Sequence, residues 1–352
     1  MSFKKARLFF FIFIALLTGF LGFLPGYNGD MSFYIATAMN FEGKSDQQAI
    51  SDTRQLIQTE LKGEKSALHL YNLDHSDSNI LNYYRIKPFY VLLIIALHSL
   101  GISYIVSTGI PSLVSFFLIG CLAFHWSSKK FKPGTALFVS SVFMLTSPSL
   151  ILARLSTPDA ISNLFISFCI YRIYFGKGYA WTGLLLMVSL LIRLDNFIAA
   201  GILLSLMHFW PVKGEKTFMP SFTYILFLIF TGVICVWVNY YFTSSFWWFR
   251  DFGYAQSFQS YGYQVLIYCA SLSASLLPLL ALIAGFAWLN RSTDMPARTI
   301  WLLAGIVFII FTRFLFFPSL EERFMTAFYL GILMLVLEFY QKEMFAKKSL
   351  PD

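Results

Sequence analysis

Long apolar runs alternate with polar segments along the chain, and their lengths predict membrane-crossing helices. The first run covers residues 8–24 and is followed by a long polar segment at 26–87, the first polar segment. A crossing helix needs about 20 mainly apolar residues, within a range of roughly 17–25. Further runs that fit or approach this range lie at 134–152, 160–175, 179–192, 197–211, 219–242, 263–289, 299–316 and 324–340. The pattern predicts an all-α, polytopic transmembrane helix bundle that forms one integral-membrane domain over residues 1–352.

Residues 88–126 contain two more apolar stretches, and we expect them to be divided at Gly109-Ile110-Pro111. The chain has to pass from the first polar segment to Lys129 on the other side of the membrane, which requires an odd number of crossings. One stretch is therefore predicted to lie along the outer interface, or to dip into the membrane and return. This gives about ten crossings in all.

Charge outside the apolar runs predicts the orientation of the chain. The sequence is 57% hydrophobic and only 12% charged, with a formal net charge of +8, whereas soluble domains are about 25% charged. Its basic clusters are Lys4, Lys5, Arg7, Lys129, Lys130, Lys132, Lys177, Lys213, Lys216, Arg291, Arg298, Lys342, Lys347 and Lys348. The positive-inside rule places these clusters and both termini in the cytoplasm, and the first polar segment outside. The net charge thus indicates orientation rather than a nucleic-acid partner.

The first polar segment contains a predicted helix at 46–62. Ser45-Asp46-Gln47-Gln48 has the spacing of a capping box, and Gly63 is a suitable helix end. The residues that recur at helical spacing between them are Ile50, Thr53, Ile57 and Leu61. These features predict either an amphipathic helix on the outer face of the membrane or an ordinary loop helix.

Signals for a metal or a cofactor are weak. His69, Asp74, His75 and Asp77 lie in the first polar segment, but the two histidines lack tight ligand spacing. A divalent cation therefore stays an alternative rather than a prediction. The sequence shows no P-loop and no glycine-rich dinucleotide fingerprint. The cysteines are predicted to be inert packing residues in apolar segments: Cys121, Cys169, Cys235 and Cys269.

Charged residues border the membrane in the predicted outer loops. They are Asp30, Arg85, Lys87, Arg154, Asp159, Arg193, Asp195, Arg250, Asp251, Glu321, Glu322 and Arg323. Charge beside a bilayer is costly and is usually functional. Acids and bases at one depth on one side predict a shared cavity for an anionic ligand whose tail lies in lipid.

Structural explanations compete at each position. Asp30 is a favoured N-cap for the helix that follows it, and Thr157-Pro158-Asp159 is a good helix start. Arg193 and Asp195 are explained as well by a structural ion pair as by a ligand contact. The basic residues that close the first polar segment could extend to lipid headgroups. The aromatic loop Phe246-Trp247-Trp248-Phe249 fits an interfacial belt better than sugar stacking.

Four short motifs, in order, resemble those of the GT-C glycosyltransferases, which use polyprenyl-phosphate-linked sugars. Asp30 after the first apolar run, with Tyr34 behind it, resembles the acidic motif of their first loop. Tyr84-Arg85-Ile86-Lys87-Pro88 is similar to the motif that closes this loop in the lipid A aminoarabinose transferase branch. Thr157-Pro158-Asp159 resembles a second-loop motif, and Glu322-Arg323-Phe324 resembles a late Glu-Arg-Tyr element.

The resemblance implies an enzyme that moves a sugar from a polyprenyl-phosphate donor to a hydroxyl of a glycan, lipid or protein. The reaction is expected on the outer face of a bacterial inner membrane. With one base and no obvious covalent nucleophile, a single displacement with inversion is the simpler hypothesis. Asp30 is then the general base, and Arg85, Lys87 and Arg323 bind the donor phosphate. The residues expected to orient the substrates are Tyr34, Asp159, Arg193, Asp195 and Glu322. One departure is Gly29, which stands where many members have a second acid.

Two other functions are compatible with charges in outer loops. A flippase or transporter of a lipid-linked sugar should carry ionisable groups near the membrane midplane, but few charges other than Arg172 and Arg313 fall within or near apolar runs. A polymerase that joins lipid-linked glycan units would have a similar outer cavity. A structural subunit of a membrane complex has no positive feature in its favour.

Reporter fusions after residues 60, 130 and 215 test the predicted orientation. The positive-inside rule places the fusion at 60 outside and the fusions at 130 and 215 in the cytoplasm. An external signal from the fusion at 130 would contradict a single crossing between residues 88 and 126.

Overall fold

The computed structural model describes residues 1–64, 80–209, 219–243, 262–263, 297–316 and 322–348, and its named elements are all helical. The α-helices of this part are α1 Phe3–Gly22, α2 Gly29–Phe41, α3 Asp46–Glu60, α4 Leu81–Arg85, α5 Pro88–Ser99, α6 Tyr104–Ser128, α7 Pro133–Met144, α8 Ser147–Arg154, α9 Asp159–Tyr174, α10 Tyr179–Ile192, α11 Asn196–Phe209, α12 Ser221–Thr243, α13 Ala297–Phe316 and α14 Thr326–Lys348. A 3-10 helix, Glu322–Met325, precedes α14. The predicted all-α class is confirmed for these residues.

Three of the described helices, α1, α6 and α12, are long and apolar enough to cross a bilayer. Helices α7 and α8 pass the same test together, with a bend of 60° between them, which raises the number to four. This is fewer than the about ten crossings predicted from run lengths. Helices α5, α10 and α11 are apolar but have only 12, 14 and 14 residues, and at 1.5 Å per residue they are shorter than a hydrocarbon core of about 30 Å. The span predicted at 263–289 lies outside the described residues except for its first residue, Tyr263.

The division of residues 88–126 lies at Gly101, and the predicted division at Gly109-Ile110-Pro111 is wrong. Gly101 has a φ of +87°, the left-handed conformation in which glycine commonly ends a helix. The side chain of Ser103 then caps α6 by accepting from the backbone N–H of Val106 at 3.4 Å. The local signals for a break were therefore a glycine and an N-cap serine.

Pro111 lies inside α6 rather than at its start. Proline is tolerated in apolar helices when neighbouring groups bond to the backbone around it. Here the Tyr90 hydroxyl of α5 donates to the carbonyl of Thr108 at 2.7 Å. The turn before Pro111 is thus supported by the preceding helix.

Helices α6 and α9 form the centre of the bundle. Helix α6 packs against α1, α5, α7 and α9, and α9 also packs against α10 and α14. The contacts are mainly apolar, as where Phe10 of α1 stacks on Phe124 of α6 with 4.9 Å between ring centroids. Helix α9 therefore contacts helices from both the N-terminal and the C-terminal parts of the chain.

Helices α2 to α5 pack as one unit beside α6. At its centre, Tyr34 makes edge contacts with Tyr84 and Tyr90, each with 4.8 Å between ring centroids. Buried aromatic residues thus hold the first polar segment against α5. Helix α2, the next helix after α1, is part of this packed unit.

The helix predicted at 46–62 is present as α3, with Ser45 accepting from the backbone N–H of Gln48 at 3.4 Å. Ile50 and Ile57 are buried in the cluster that α3 shares with α2. The apolar face of α3 therefore contacts protein, rather than the lipid expected for a helix that lies on a membrane.

Several of the predicted cytoplasmic basic residues gather at one end of the bundle. Lys129, just after α6, donates to the Tyr171 hydroxyl near the end of α9 at 2.6 Å. Arg298, in the first turn of α13, lies beside Gly176, just after α9. The opposite end holds the start of α9 and the end of α13, and there the charged loop residues meet.

Replacing Gly120 by leucine should disturb the packing of α1 on α6. A Cβ at Gly120 would lie 2.9 Å from two side-chain carbons of Ile14, whereas one at Gly109 on the same helix meets no described atom within 4 Å. Overpacking of this kind costs about 1–3 kcal/mol. We expect Gly120→Leu to lower the Tm in detergent and Gly109→Leu to leave it near the wild-type value. Equal Tm values would contradict this helix contact.

Candidate functional site

Six charged side chains form a continuous line at one end of the bundle, and we call this line the ion-pair row. Its members come from the first turn of α2, the start of α9, the loop between α10 and α11, the last turn of α13, and the 3-10 helix. In order they are Arg313, Asp195, Arg193, Asp159, Arg323 and Asp30. Segments far apart in sequence thus meet through alternating charge.

Arg193 connects two aspartates in the middle of the row. Its Nε and Nη2 donate to the two carboxylate oxygens of Asp195 at 2.9 and 3.0 Å, and its Nη1 donates to Asp159. Asp195 also accepts from Arg313. All four side chains are at most 10% exposed. The structural ion pair considered for Arg193 and Asp195 is therefore present, and it extends to the start of α9 and the last turn of α13.

Arg323 joins the buried part of the row to Asp30. Its Nε lies 3.2 Å from Asp159 Oδ2 as an ion pair without hydrogen-bond alignment, and its Nη2 lies 3.7 Å from Asp30 Oδ2. Asn163 of α9 fixes this loop, because its amide donates to the Arg323 carbonyl at 2.9 Å and accepts from the backbone of Ala327 at 2.8 Å. Arg323 is thus held by both backbone and side chain.

Asp30 is the most accessible acid of the row. Its side chain is 34% exposed, against 2% for Asp159 and 9% for Asp195. The Tyr84 hydroxyl donates to its Oδ1 at 2.8 Å, and the Asn28 amide donates to its Oδ2 at 3.3 Å. The N-cap position of α2 is occupied by Asn28, so the alternative that Asp30 caps this helix is wrong.

The arginines keep the row charged. Burial alone would raise the pKa of Asp195, but the guanidinium groups of Arg193 and Arg313 outweigh burial and hold that pKa below its ordinary value. For Arg193, burial would lower the pKa, and the adjacent Asp195 more than offsets it, so the net pKa is raised. Charge and countercharge therefore persist together at neutral pH.

Phe324 lies among the three arginines of the row. The guanidinium carbons of Arg193, Arg313 and Arg323 are 4.4, 4.9 and 5.0 Å from its ring centroid. A ring face attracts a cation within about 6 Å. The ring of Phe324 thus lies close to three guanidinium groups, each of which also contacts a carboxylate of the row.

Lys87 and Tyr34 belong to the aromatic cluster that also contains Tyr84, the hydrogen-bond donor to Asp30. Lys87 is only 7% exposed, with its Nζ 3.5 Å from the Tyr83 ring centroid and 5.0 Å from that of Tyr84. Burial raises the pKa of Tyr34 well above its ordinary value, and the charge of Asp30 adds to this effect. Tyr34 is therefore a neutral, buried side chain, and Lys87 is a buried cation close to the row.

Arg85 does not join the row, in contrast to its expected place with Lys87 and Arg323. Its guanidinium donates to Asn40 at 3.0 and 3.2 Å, to Asn82 at 2.6 Å, and to Asp46. These contacts connect α4 to α2 and the start of α3. Arg85 is the last residue of α4, whereas Lys87 lies after that helix at the N-cap of α5, so helical spacing does not bring the two side chains to one face.

Some predicted residues are described in part or fall outside the described residues. Glu322 begins the 3-10 helix, but its side chain lies outside the described part. The same holds for His69, Asp74, His75 and Asp77, and for the aromatic loop at 246–249. Among the residues that the structure describes, no group of three or more His, Cys, Asp or Glu side chains could hold a metal ion.

The site contains residues that were not predicted. They are Asn28, Tyr84, Asn163, Arg313 and Phe324. Tyr84 and Phe324 belong to the quoted motifs, so their neighbours were a usable signal. Arg313 was visible as a charge in an apolar run, which marks functional or paired residues in membrane helices. Asn163 gave no signal in the sequence.

No protein-family description matches the chain, and no curated protein or solved structure matches it either. The fold and the site therefore define a class only: an all-helical protein with helices able to cross a bilayer and a row of paired charges at one end of the bundle.

Replacing Asp195 by asparagine should destabilise the protein strongly. The change leaves buried Arg193 and Arg313 short of a countercharge, and breaking a buried pair in this way costs about 3–5 kcal/mol. Since the folded-state pKa of Asp195 is depressed, its stabilisation is complete above about pH 4 and is lost as pH falls below this value. We expect a clearly lower Tm at pH 7, with the difference from wild type shrinking in acid.

The matched control is Asp52→Asn. Asp52 pairs with Lys44 at 2.8 Å, but the two side chains are 35% and 38% exposed. Exposed pairs contribute about 0–1 kcal/mol, so this variant should keep nearly the wild-type Tm. A similar fall in Tm in both variants would show that the buried ion pairs of the row stabilise the protein no more than an exposed pair does.

Proposed function

We propose that the protein is a membrane glycosyltransferase of the GT-C type, which transfers a sugar from a polyprenyl-phosphate donor to an acceptor hydroxyl. The observation that carries this proposal is Asp30. It is an accessible carboxylate held at the loop end of a helical bundle, within 3.7 Å of a cation, Arg323. An acid that can take a proton and a cation that can meet a phosphate are the two groups that this reaction needs.

Asp30 has room to act as a base. A carboxylate offers about four acceptor positions, and Tyr84 and Asn28 occupy two of those of Asp30. In the proposed step, the acceptor oxygen attacks the anomeric carbon as its proton passes to Asp30. The bond from that carbon to the phosphate oxygen breaks, and the phosphate keeps the electron pair. A single displacement of this kind inverts the anomeric centre.

Arg323 and Lys87 are the cations proposed to face the donor phosphate. Arg323 contacts Asp30 directly, and the charge of Lys87 contributes to the lowered pKa of Asp195, which places Lys87 in the same electrostatic neighbourhood. Positive charge fixed in place stabilises the negative charge that develops on the leaving phosphate. Arg85 is assigned instead to holding the first polar segment together.

Asp159, Arg193 and Asp195 act on the substrate indirectly in this proposal. Their carboxylate and guanidinium groups are buried in contacts with one another. They hold Arg323 and Phe324, and through them the position of the phosphate. Tyr34 supports Tyr84, which donates to Asp30, and Glu322 is kept as a substrate-orienting candidate.

The position of the charges favours an enzyme over a transporter. Asp159 is the first residue of α9, Arg193 follows the last residue of α10, and Arg313 is in the last turn of α13. The row thus lies at helix ends, whereas transporters place ionisable groups near the midplane. By the positive-inside rule this end is extracytoplasmic. The proposal places the protein in a bacterial inner membrane and takes a glycan, lipid or protein as the acceptor.

Asp30→Asn tests the proposed base. Asparagine keeps the size of the side chain but takes no proton, and loss of general-base catalysis lowers rates about 10²–10⁴-fold. Cells without the protein should accumulate a polyprenyl-phosphate sugar in the outer leaflet. We expect wild type and Asp52→Asn to remove it and Asp30→Asn to leave it, at equal protein abundance.

Other results of this experiment exclude the proposal in different ways. Normal product with Asp30→Asn would remove Asp30 as the base. Donor that accumulates in the inner leaflet would indicate a flippase, and accumulated lipid-linked glycan repeats would indicate a polymerase. The same lipids in cells with and without the protein would exclude all three functions.

A further inference from the structure

Asn28 carries a side-chain oxygen that the ion-pair row does not use. Its Nδ2 donates to Asp30 Oδ2 at 3.3 Å. Because an ionised carboxylate only accepts hydrogen bonds, this contact fixes the orientation of the amide, with Oδ1 turned away from that oxygen. Asn28 Oδ1 is buried and has no hydrogen-bond partner among the described residues. Most buried polar atoms in proteins are paired, so this acceptor needs a physical explanation.

Helix capping does not explain this oxygen. Asn28 occupies the N-cap position of α2, where asparagine normally accepts from the backbone N–H of the second or third residue. The side chain makes no such bond, because the amide is turned towards Asp30. A residue that gives up its favoured local role beside an accessible acid is typical of a functional site.

We propose that Asn28 and Asp30 together bind two adjacent hydroxyl groups of the acceptor, so that the acceptor is a carbohydrate. This rests on the proposed glycosyltransferase function. The attacking hydroxyl gives its proton to Asp30, and the neighbouring hydroxyl donates to Asn28 Oδ1. Asn28 is therefore a specificity-determining residue for the acceptor.

The chemistry of the two acceptor groups selects this ligand. The Asp30 carboxylate and the amide oxygen of the neighbouring Asn28 both accept hydrogen bonds, so a ligand that contacts both must supply two donors. A vicinal diol of a sugar supplies them. An ionised phosphate has only acceptor oxygens and would be repelled, so it lies on the side of Arg323. A serine or threonine side chain has one hydroxyl, so on a peptide acceptor the donor to Asn28 Oδ1 would have to come from another group, such as a backbone N–H.

The test uses cells that lack the protein and express wild type, Asn28→Ala or Asn163→Ala, each also purified for a Tm measurement. Asn163 is the structural contrast, because its amide bonds to the backbone of Asp159, Arg323 and Ala327. We expect Asn163→Ala to lower the Tm and Asn28→Ala to leave it unchanged or raised. Asn28→Ala should still reduce sugar transfer about 10- to 100-fold, as expected for one lost ligand hydrogen bond.

Linkage analysis of the glycan that loses its sugar in the cells without the protein completes the test. The proposal expects the acceptor carbon to lie next to a carbon with an unsubstituted hydroxyl. Attachment to serine or threonine, or to a carbon without such a neighbour, would overturn it. So would full transfer by Asn28→Ala, or a fall in Tm equal to that of Asn163→Ala. No accumulated polyprenyl-phosphate sugar in cells without the protein would overturn the proposed function itself, and this proposal with it.

Discussion

Alternation of arginine and aspartate is the interaction on which the loop end of the bundle depends. Burying an unpaired charge is prohibitive, and each internal member of the row avoids this by contacting an opposite charge on both sides. The row connects α9, the loop after α10, the end of α13 and the 3-10 helix. Apolar packing in the bundle brings these ends near one another, but it is non-directional. The row supplies the direction, because guanidinium and carboxylate groups pair in a defined plane.

Exposure changes along the row and divides its members by role. The buried members, from Arg313 to Asp159, have their polar atoms occupied by one another and by Phe324, so they hold positions. Asp30 ends the row with accessible surface and unused acceptor capacity. In the proposed function, the chemistry therefore lies at the end where pairing is incomplete, and the buried members fix where that end lies.

Sequence reasoning was most successful where the signal was local. Helix α10 has the bounds expected for it, Tyr179–Ile192, and Ser45 caps α3 as its motif indicates. The division at Gly101 also had a local signal, but Pro111 was given more weight than an apolar helix warrants. Apart from the pair of Arg193 and Asp195, the contacts of the row had no local signal. Arg313 meets Asp195 across 118 residues of sequence, and Arg85 meets Asn40 across 45. Periodicity places such residues on a face, but tertiary packing chooses their partners.

The longest contact of the row, between Arg323 and Asp30, is the one that the proposed function assigns to the substrate. Arg323 lies 3.2 Å from Asp159 but 3.7 Å from Asp30, and the second contact is beyond hydrogen-bond distance. A phosphate that approaches Arg323 competes with Asp30, the more exposed partner, while Asp159 and the Asn163 contact keep the arginine in place. Within the proposed function, donor binding therefore draws Arg323 towards the phosphate and leaves the Asp30 carboxylate to its hydroxyl ligand.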